Sequence, residues 1–164
     1  MVASADRIWS LLEAVSDPEV PVLSVIDLGI VRGVVWQADE EQWLIQITPT
    51  YSGCPAMDTL SADITMQLRT AGIPHRVELV LSPAWTTDWM SENGKRKLME
   101  YGIHPPTDPT ADKRALQGER GVIKCPNCGS HETEMVSAFG STACKALFKC
   151  LDCLEPFDYF KCLR

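Results

Sequence analysis

Four cysteines stand in two Cys-x-x-Cys pairs, Cys125/Cys128 and Cys150/Cys153, with 21 residues between the pairs. Two such knuckles can close four thiolates on one tetrahedral ion. Closed Cys₄ sites are usually structural zinc, with iron as the alternative. A different chemistry is open to Cys54, which ends the loop Thr48-Pro49-Thr50-Tyr51-Ser52-Gly53-Cys54 and precedes Pro55. The loop leaves an apolar strand pattern and enters a helix pattern, with Pro55 suited to the first helical position, where no intrahelical N–H is lost. A thiol at that point faces unpaired amides and the positive end of the helix dipole, and both favour thiolate. Gly53 is expected to keep side-chain bulk away from the sulfur. The competing reading is a buried cysteine in a tight turn.

Two further cysteines are spare. Cys144 follows the turn Gly140-Ser141-Thr142 and has Lys145 beside it, a cation able to lower a thiol pKa. Packing of a small residue in a strand is the alternative for Cys144, and it is the expected role of Cys162. Seven cysteines without a secretory signal at the N-terminus point to metal before disulfide, and to the cytoplasm.

The elements that must position these thiols follow from periodicity. Ser4 can cap a helix whose Ile8, Leu11, Leu12 and Val15 form one stripe, ended by Asp17-Pro18. Strands are expected from Ile30 to Trp36 and from Gln42 to Thr48, joined as a hairpin across a short polar turn. Asp27, just before them, reads as a turn or capping acid, with metal ligation as the alternative. A helix from Pro55 to Thr70 buries Met57, Leu60, Ile64 and Leu68, and a strand from His75 to Ser82 should pair in parallel with the second strand. Trp85 and Trp89 form either a lid on this sheet or a partner-binding patch. Ser91 can cap a last helix, Glu92 to Tyr101.

From Gly102 to Glu119 prolines and the loss of periodicity predict a linker. The expected division is therefore an α-β-β-α-β-α domain over 1–102, a linker over 103–119 and a small all-β zinc ribbon over 120–164. The ribbon strands are Glu132 to Phe139, Cys144 to Lys149 and Pro156 to Leu163. So short a module needs its metal to fold.

The net charge of −7 is uneven. Residues 1–102 hold seven Lys/Arg against fourteen Asp/Glu, and residues 120–164 hold six against five. Phosphate backbones would be repelled by the front and not attracted by the tail, so nucleic acid is an unfavoured partner. No apolar run is long enough for a membrane span. His75, His104 and His131 fall in no recognisable dyad with a cysteine, which argues against a thiol enzyme.

Asp17-Pro18-Glu19-Val20, Asp27-Leu28-Gly29-Ile30-Val31, Gly53-Cys54-Pro55 and Pro83-Ala84-Trp85, in that order, resemble the signature of the SufT-like family of iron–sulfur assembly proteins over residues 4–102. The Cys54 loop is also similar to the carboxy-terminal domain of NifU-type scaffolds, which carry Cys-x-x-Cys-Pro. Here Tyr51 stands at the earlier position. With the Pro-rich segment, the run Gly140 to Lys145 and the ribbon, nearly the whole chain resembles the PaaD-like family, accessory proteins of the multicomponent ring-1,2-phenylacetyl-CoA epoxidase.

That resemblance implies a non-enzymatic factor that matures metal centres of the oxygenase system. Its client would be the di-iron oxygenase subunit or the [2Fe–2S] reductase. Cys54 would hold iron or a cluster transiently, with Asp27, Cys144, the client or the Cys54 of a second copy in a homodimer as sources of further ligands. The alternative is a structural subunit of the oxygenase that transfers no metal.

Overall fold

Helix α1 (Ala5–Leu12) opens at Ser4, whose hydroxyl accepts the Arg7 N–H at 3.3 Å. Ile8 and Leu12 on its stripe are fully buried, and Val15 is nearly so. The helix ends well before Pro18, because Ala14 and Val15 bond three residues back to Leu11 and Leu12 in a tightened last turn. Asp17 then accepts the N–H groups of Glu19 and Val20 at 2.9 and 2.7 Å, so Asp17-Pro18-Glu19-Val20 is a turn organised by its carboxylate. The computed structural model describes residues 2–162 and divides after Gly94 into two compact units. The fold is α+β, with four helices and two sheets among the described residues.

In the first unit, β1 (Val31–Gln37) and β2 (Gln42–Ile47) form the expected antiparallel hairpin. α2 (Ala56–Thr70) then crosses to β3 (His75–Leu79), which pairs in parallel with β2. Trp43, Ile45 and Ile47 on one face of β2 are buried, and so are Met57, Leu60, Ile64 and Leu68 of α2. A period of two meets a period near 3.6, and the two stripes make the core. After β3, a 3₁₀ turn (Thr87–Trp89) leads to α3 (Glu92–Tyr101), which begins in this unit, capped by Ser91 whose hydroxyl accepts the Gly94 N–H at 2.8 Å, and continues as the start of the second.

The second unit contains a mixed sheet in the order β4-β7-β6-β5. Its strands are β4 (Ile103–His104), β5 (Thr133–Ser137), β6 (Lys145–Cys150) and β7 (Pro156–Phe160). The antiparallel β5-β6-β7 part is the ribbon expected from the sequence, although Leu163 of its last strand lies outside the described residues.

The segment 103–119 is not a linker. β4 pairs in parallel with β7, and α4 (Pro109–Leu116) follows. Asp108 caps α4 by accepting the Thr110 and Ala111 N–H groups at 2.9 and 3.0 Å, and Pro109 fills the first turn. The Asp-Pro pair that reads as a loop signal is thus a helix start. Ala115 of α4 lies in one core with Ile123, Ala146, Phe148, Phe157 and Tyr159.

Buried Asp112 of α4 accepts the Tyr159 hydroxyl at 2.6 Å and the Cys162 N–H at 2.9 Å. Thr107 lies 2.8 Å from the same phenol oxygen. Burial, then the Asp112 carboxylate, push the Tyr159 phenol above its ordinary pKa, so it stays a donor. Asp112→Ala strands a buried hydroxyl and a buried N–H. It is expected to destabilise the second unit by about 1–3 kcal/mol in urea unfolding, with little effect on the first.

Candidate functional site

The β-turns that carry the two Cys-x-x-Cys pairs are built alike. Cys125 N–H bonds Ser130 O at 2.8 Å, and Cys150 N–H bonds Glu155 O at 3.0 Å. Each knuckle closes on a left-handed residue directly after its second cysteine, Gly129 at φ +78° and Leu154 at φ +64°. Glycine takes that conformation without strain, whereas leucine does not, so the second knuckle is the more strained of the two.

The turns bring all four sulfurs together within 4.8 Å of one another. Cys125 and Cys153 sulfurs are 3.8 Å apart, and those of Cys128 and Cys150 are 3.5 Å apart. Zn–S bonds of about 2.3 Å would set the corners of a regular tetrahedron about 3.8 Å apart, so the spacing fits a four-thiolate site. Cys125 and Cys150 are also members of the small apolar core, which makes the site and the core one structure.

Backbone amides aim at these sulfurs, a layer that the cysteine spacing alone does not disclose. The N–H groups of Cys153 and Asp152 pull the Cys150 thiol down to about 7. The Glu155 N–H favours a Cys153 thiolate, yet burial and the surrounding sulfurs push that thiol up to about 12. At Cys128 the Ser130 N–H is likewise outweighed by the neighbouring sulfurs and burial, and the pKa rises. Four negative charges cannot accumulate in this space unaided, and a divalent cation is what lets all four thiols ionise.

Cys54 belongs to the first unit. At the cysteine the backbone is held by Cys54 N–H to Tyr51 O at 3.2 Å and Met57 N–H to Cys54 O at 3.3 Å. α2 begins at Ala56 with Pro55 at its cap, so the cysteine is two residues ahead of the helix. The thiol is half-buried and belongs to no group of three or more prospective metal ligands among the described residues. Gly53 is required for its φ of +76°, and a Cβ there would meet nothing within 4 Å. The conformation explains the glycine, not relief of bulk beside the sulfur.

Asp27 is a structural acid. Oδ2 accepts the Ser24 N–H at 3.2 Å, and Oδ1 accepts Ser91 Oγ at 3.0 Å and Asn93 Nδ2 at 3.2 Å. These bonds tie the 24–27 turn to the start of α3, and donors therefore occupy both of its oxygens. Trp85 is 3% exposed and donates its indole N–H to Leu28 O at 2.9 Å. It is core, so the Trp85/Trp89 pair forms no surface patch. Trp89 is half-buried, with the Arg32 guanidinium 3.5 Å over its ring.

In the second unit, Cys144 is buried with Thr142 Oγ1 at 3.0 Å from its sulfur. Lys145 does not attend it. Adjacent strand residues face opposite ways, and the Lys145 ammonium lies 3.6 Å from Asp158 instead. The cation that interacts electrostatically with Cys144 is Lys161. Cys162 is half-buried and tied by its N–H to Asp112.

Comparison with known proteins matches both units. Residues 5–80 match the family described as iron–sulfur cluster assembly protein, and residues 109–161 match the PaaD zinc beta ribbon domain. The chain is 50% identical over 158 residues to a "Putative 1,2-phenylacetyl-CoA epoxidase" subunit of Escherichia coli (strain K12), covering 96% of this chain and 92% of that one. Among solved structures, a domain of unknown function DUF59 from Bacillus anthracis aligns with a TM-score of 0.52 and 29% identity, over 57% of this chain and 89% of that one. A conserved hypothetical protein from Thermotoga maritima aligns with a TM-score of 0.50 and 25% identity, over 59% and 95%.

The sequence has five tryptophans, Trp9, Trp36, Trp43, Trp85 and Trp89, all in the first unit. Chelation of the ribbon metal, or Cys125→Ser, is expected to open 120–161 to limited proteolysis while tryptophan emission stays at its folded wavelength. A parallel shift in emission would show that the cysteine centre supports both units.

Proposed function

This chain belongs to the PaaD-like family, and from that premise we propose that it is a non-enzymatic accessory protein that matures iron or iron–sulfur centres of a ring-1,2-phenylacetyl-CoA epoxidase. The name of the Escherichia coli relative supplies the system, and the family match over residues 5–80 supplies the class of work. One observation carries the reading. Within those residues, Cys54 presents at the entry to α2 a half-buried thiol whose sulfur has no hydrogen-bond partner among the described residues.

The histidines support a role outside catalysis. His75, the histidine in the same unit as Cys54, holds Nδ1 2.7 Å from Ile73 O, and the Cys54 sulfur has no imidazole partner among the described residues of that unit. A single thiolate is a poor cage and a good relay. Iron or a cluster is the cargo, held between Cys54 and ligands of the receiving protein. It leaves by exchange of one ligand for another, with no change of oxidation state. Both Asp27 oxygens already accept hydrogen bonds and Cys144 is buried, so in this reading the client or a second Cys54 in a homodimer completes the ligand set.

The four ribbon thiolates hold structural zinc in this reading, and the ribbon serves as a docking module for the di-iron oxygenase subunit or the [2Fe–2S] reductase. No helix among the described residues is long and apolar enough to cross a membrane, and we place the protein in the cytoplasm. The structural-subunit alternative loses Trp85 as an interface residue, since it is buried.

The test is to purify the oxygenase and the reductase after co-expression with the wild-type chain, with Cys54→Ser, or with neither, and to measure iron and sulfide in each. The expected result is that Cys54→Ser folds normally yet leaves client metal at the level seen without the protein. Full metal in all three preparations overturns the maturation reading in favour of a structural subunit.

A further inference from the structure

A cleft of about 750 Å³ opens in the first unit, walled by Ser4 and Arg7 of the α1 start, by Trp36, Glu41 and Trp43 of the hairpin, and by Gly72 after α2. Its size is that of a small-molecule site. Neither the Cys54 loop nor Asp27 lines it.

The walls combine two features. The first is aromatic: Trp36 and Trp43 lie directly opposite on β1 and β2 and meet edge to face, with ring centroids 5.5 Å apart. The second is a surplus of donors. The Trp43 side-chain N–H is buried and has no acceptor among the described residues, although the residue is only 8% exposed. Arg7 is exposed, and among the described residues its guanidinium makes no hydrogen bond or ion pair, its backbone N–H alone being bonded to Ser4. The cleft also borders the N-terminal end of α1, where unpaired amides and the helix dipole favour negative charge.

Against these donors stands one acid in the walls, Glu41, at the hairpin turn. It weighs against a multiply charged guest. The cleft itself is tied down, since Trp43 N–H bonds Pro74 O at 2.9 Å through the backbone.

We propose that this cleft binds a small organic monoanion, a carboxylate on a flat apolar body. The body lies against the two indole rings, and the carboxylate pairs with Arg7. Binding here is independent of Cys54 and does not rest on the maturation reading.

The test uses the metal-loaded full chain, labelled with ¹⁵N, with benzoate as probe and benzamide as its neutral counterpart. Five indole N–H resonances are expected, and Trp43→Phe identifies one by its loss. Benzoate at millimolar concentration should shift the Trp43 and Trp36 resonances, and benzamide should bind about 10-fold more weakly or not at all. Arg7→Gln should weaken benzoate by about 10-fold while leaving the remaining spectrum folded, and Cys54→Ser should leave it unchanged. No movement of either indole, equal responses to the acid and the amide, or an unaltered affinity in Arg7→Gln overturns the proposal. Should Trp43→Phe fail to fold, Arg7→Gln and the acid/amide comparison still decide it.

Discussion

A carboxylate taken out of water must be given donors in exchange, and each unit is closed by one acid that meets this demand. In the first unit Asp27 gathers a backbone N–H from its own turn and side-chain donors from Ser91 and Asn93, more than sixty residues later. In the second, Asp112 gathers Tyr159 and the Cys162 N–H across about fifty residues. Both acids are buried, both take more than one bond, and both fasten the end of a sequence segment to its beginning. Apolar burial alone would let these segments slide, since it is indifferent to register. A buried charge with named donors is not, because a slip of one residue leaves it uncompensated.

The same reasoning separates the two kinds of cysteine. The ribbon sulfurs are crowded, buried in part and served by backbone amides, so their chemistry is complete only with a cation among them. Among the described residues, Cys54 has no neighbouring ligand set and no hydrogen bond to its sulfur. A site that must keep its ion needs a closed set of ligands, and a site that must surrender one needs an open set. The ribbon cysteines form a closed set, and Cys54, in the other unit, stands in no such set among the described residues.

Much of this was legible in the residues, because periodicity reports on burial. The hairpin, the parallel third strand, α2 and its buried stripe, and the four-cysteine knuckles all lie where spacing put them. What spacing could not carry was partnership across distance. Asp27 read as a turn or capping acid, with ligation as the alternative, and Asp112 as part of a linker, but nothing local named Ser91, Asn93 or Tyr159 as the donors they would find. Pro109 reads equally well as a breaker and as a helix start until Asp108 is seen to cap α4. Lys145 beside Cys144 suggested an activated thiol, but neighbours along a strand face apart and its ammonium goes to Asp158.

The tryptophans show the limit most clearly. Two of them, Trp85 and Trp89, close together in sequence beside a proline, read either as a lid on the sheet or as a partner-binding patch. Trp85 is core through its bond to Leu28 O, and Trp89 is covered by Arg32. The pair that does wall a cleft, Trp36 and Trp43, is separated by the hairpin turn and becomes a pair only through strand register. Cross-strand neighbours are set by the turn that joins them, so an aromatic site on a hairpin is written in the number of residues between its rings rather than in their adjacency.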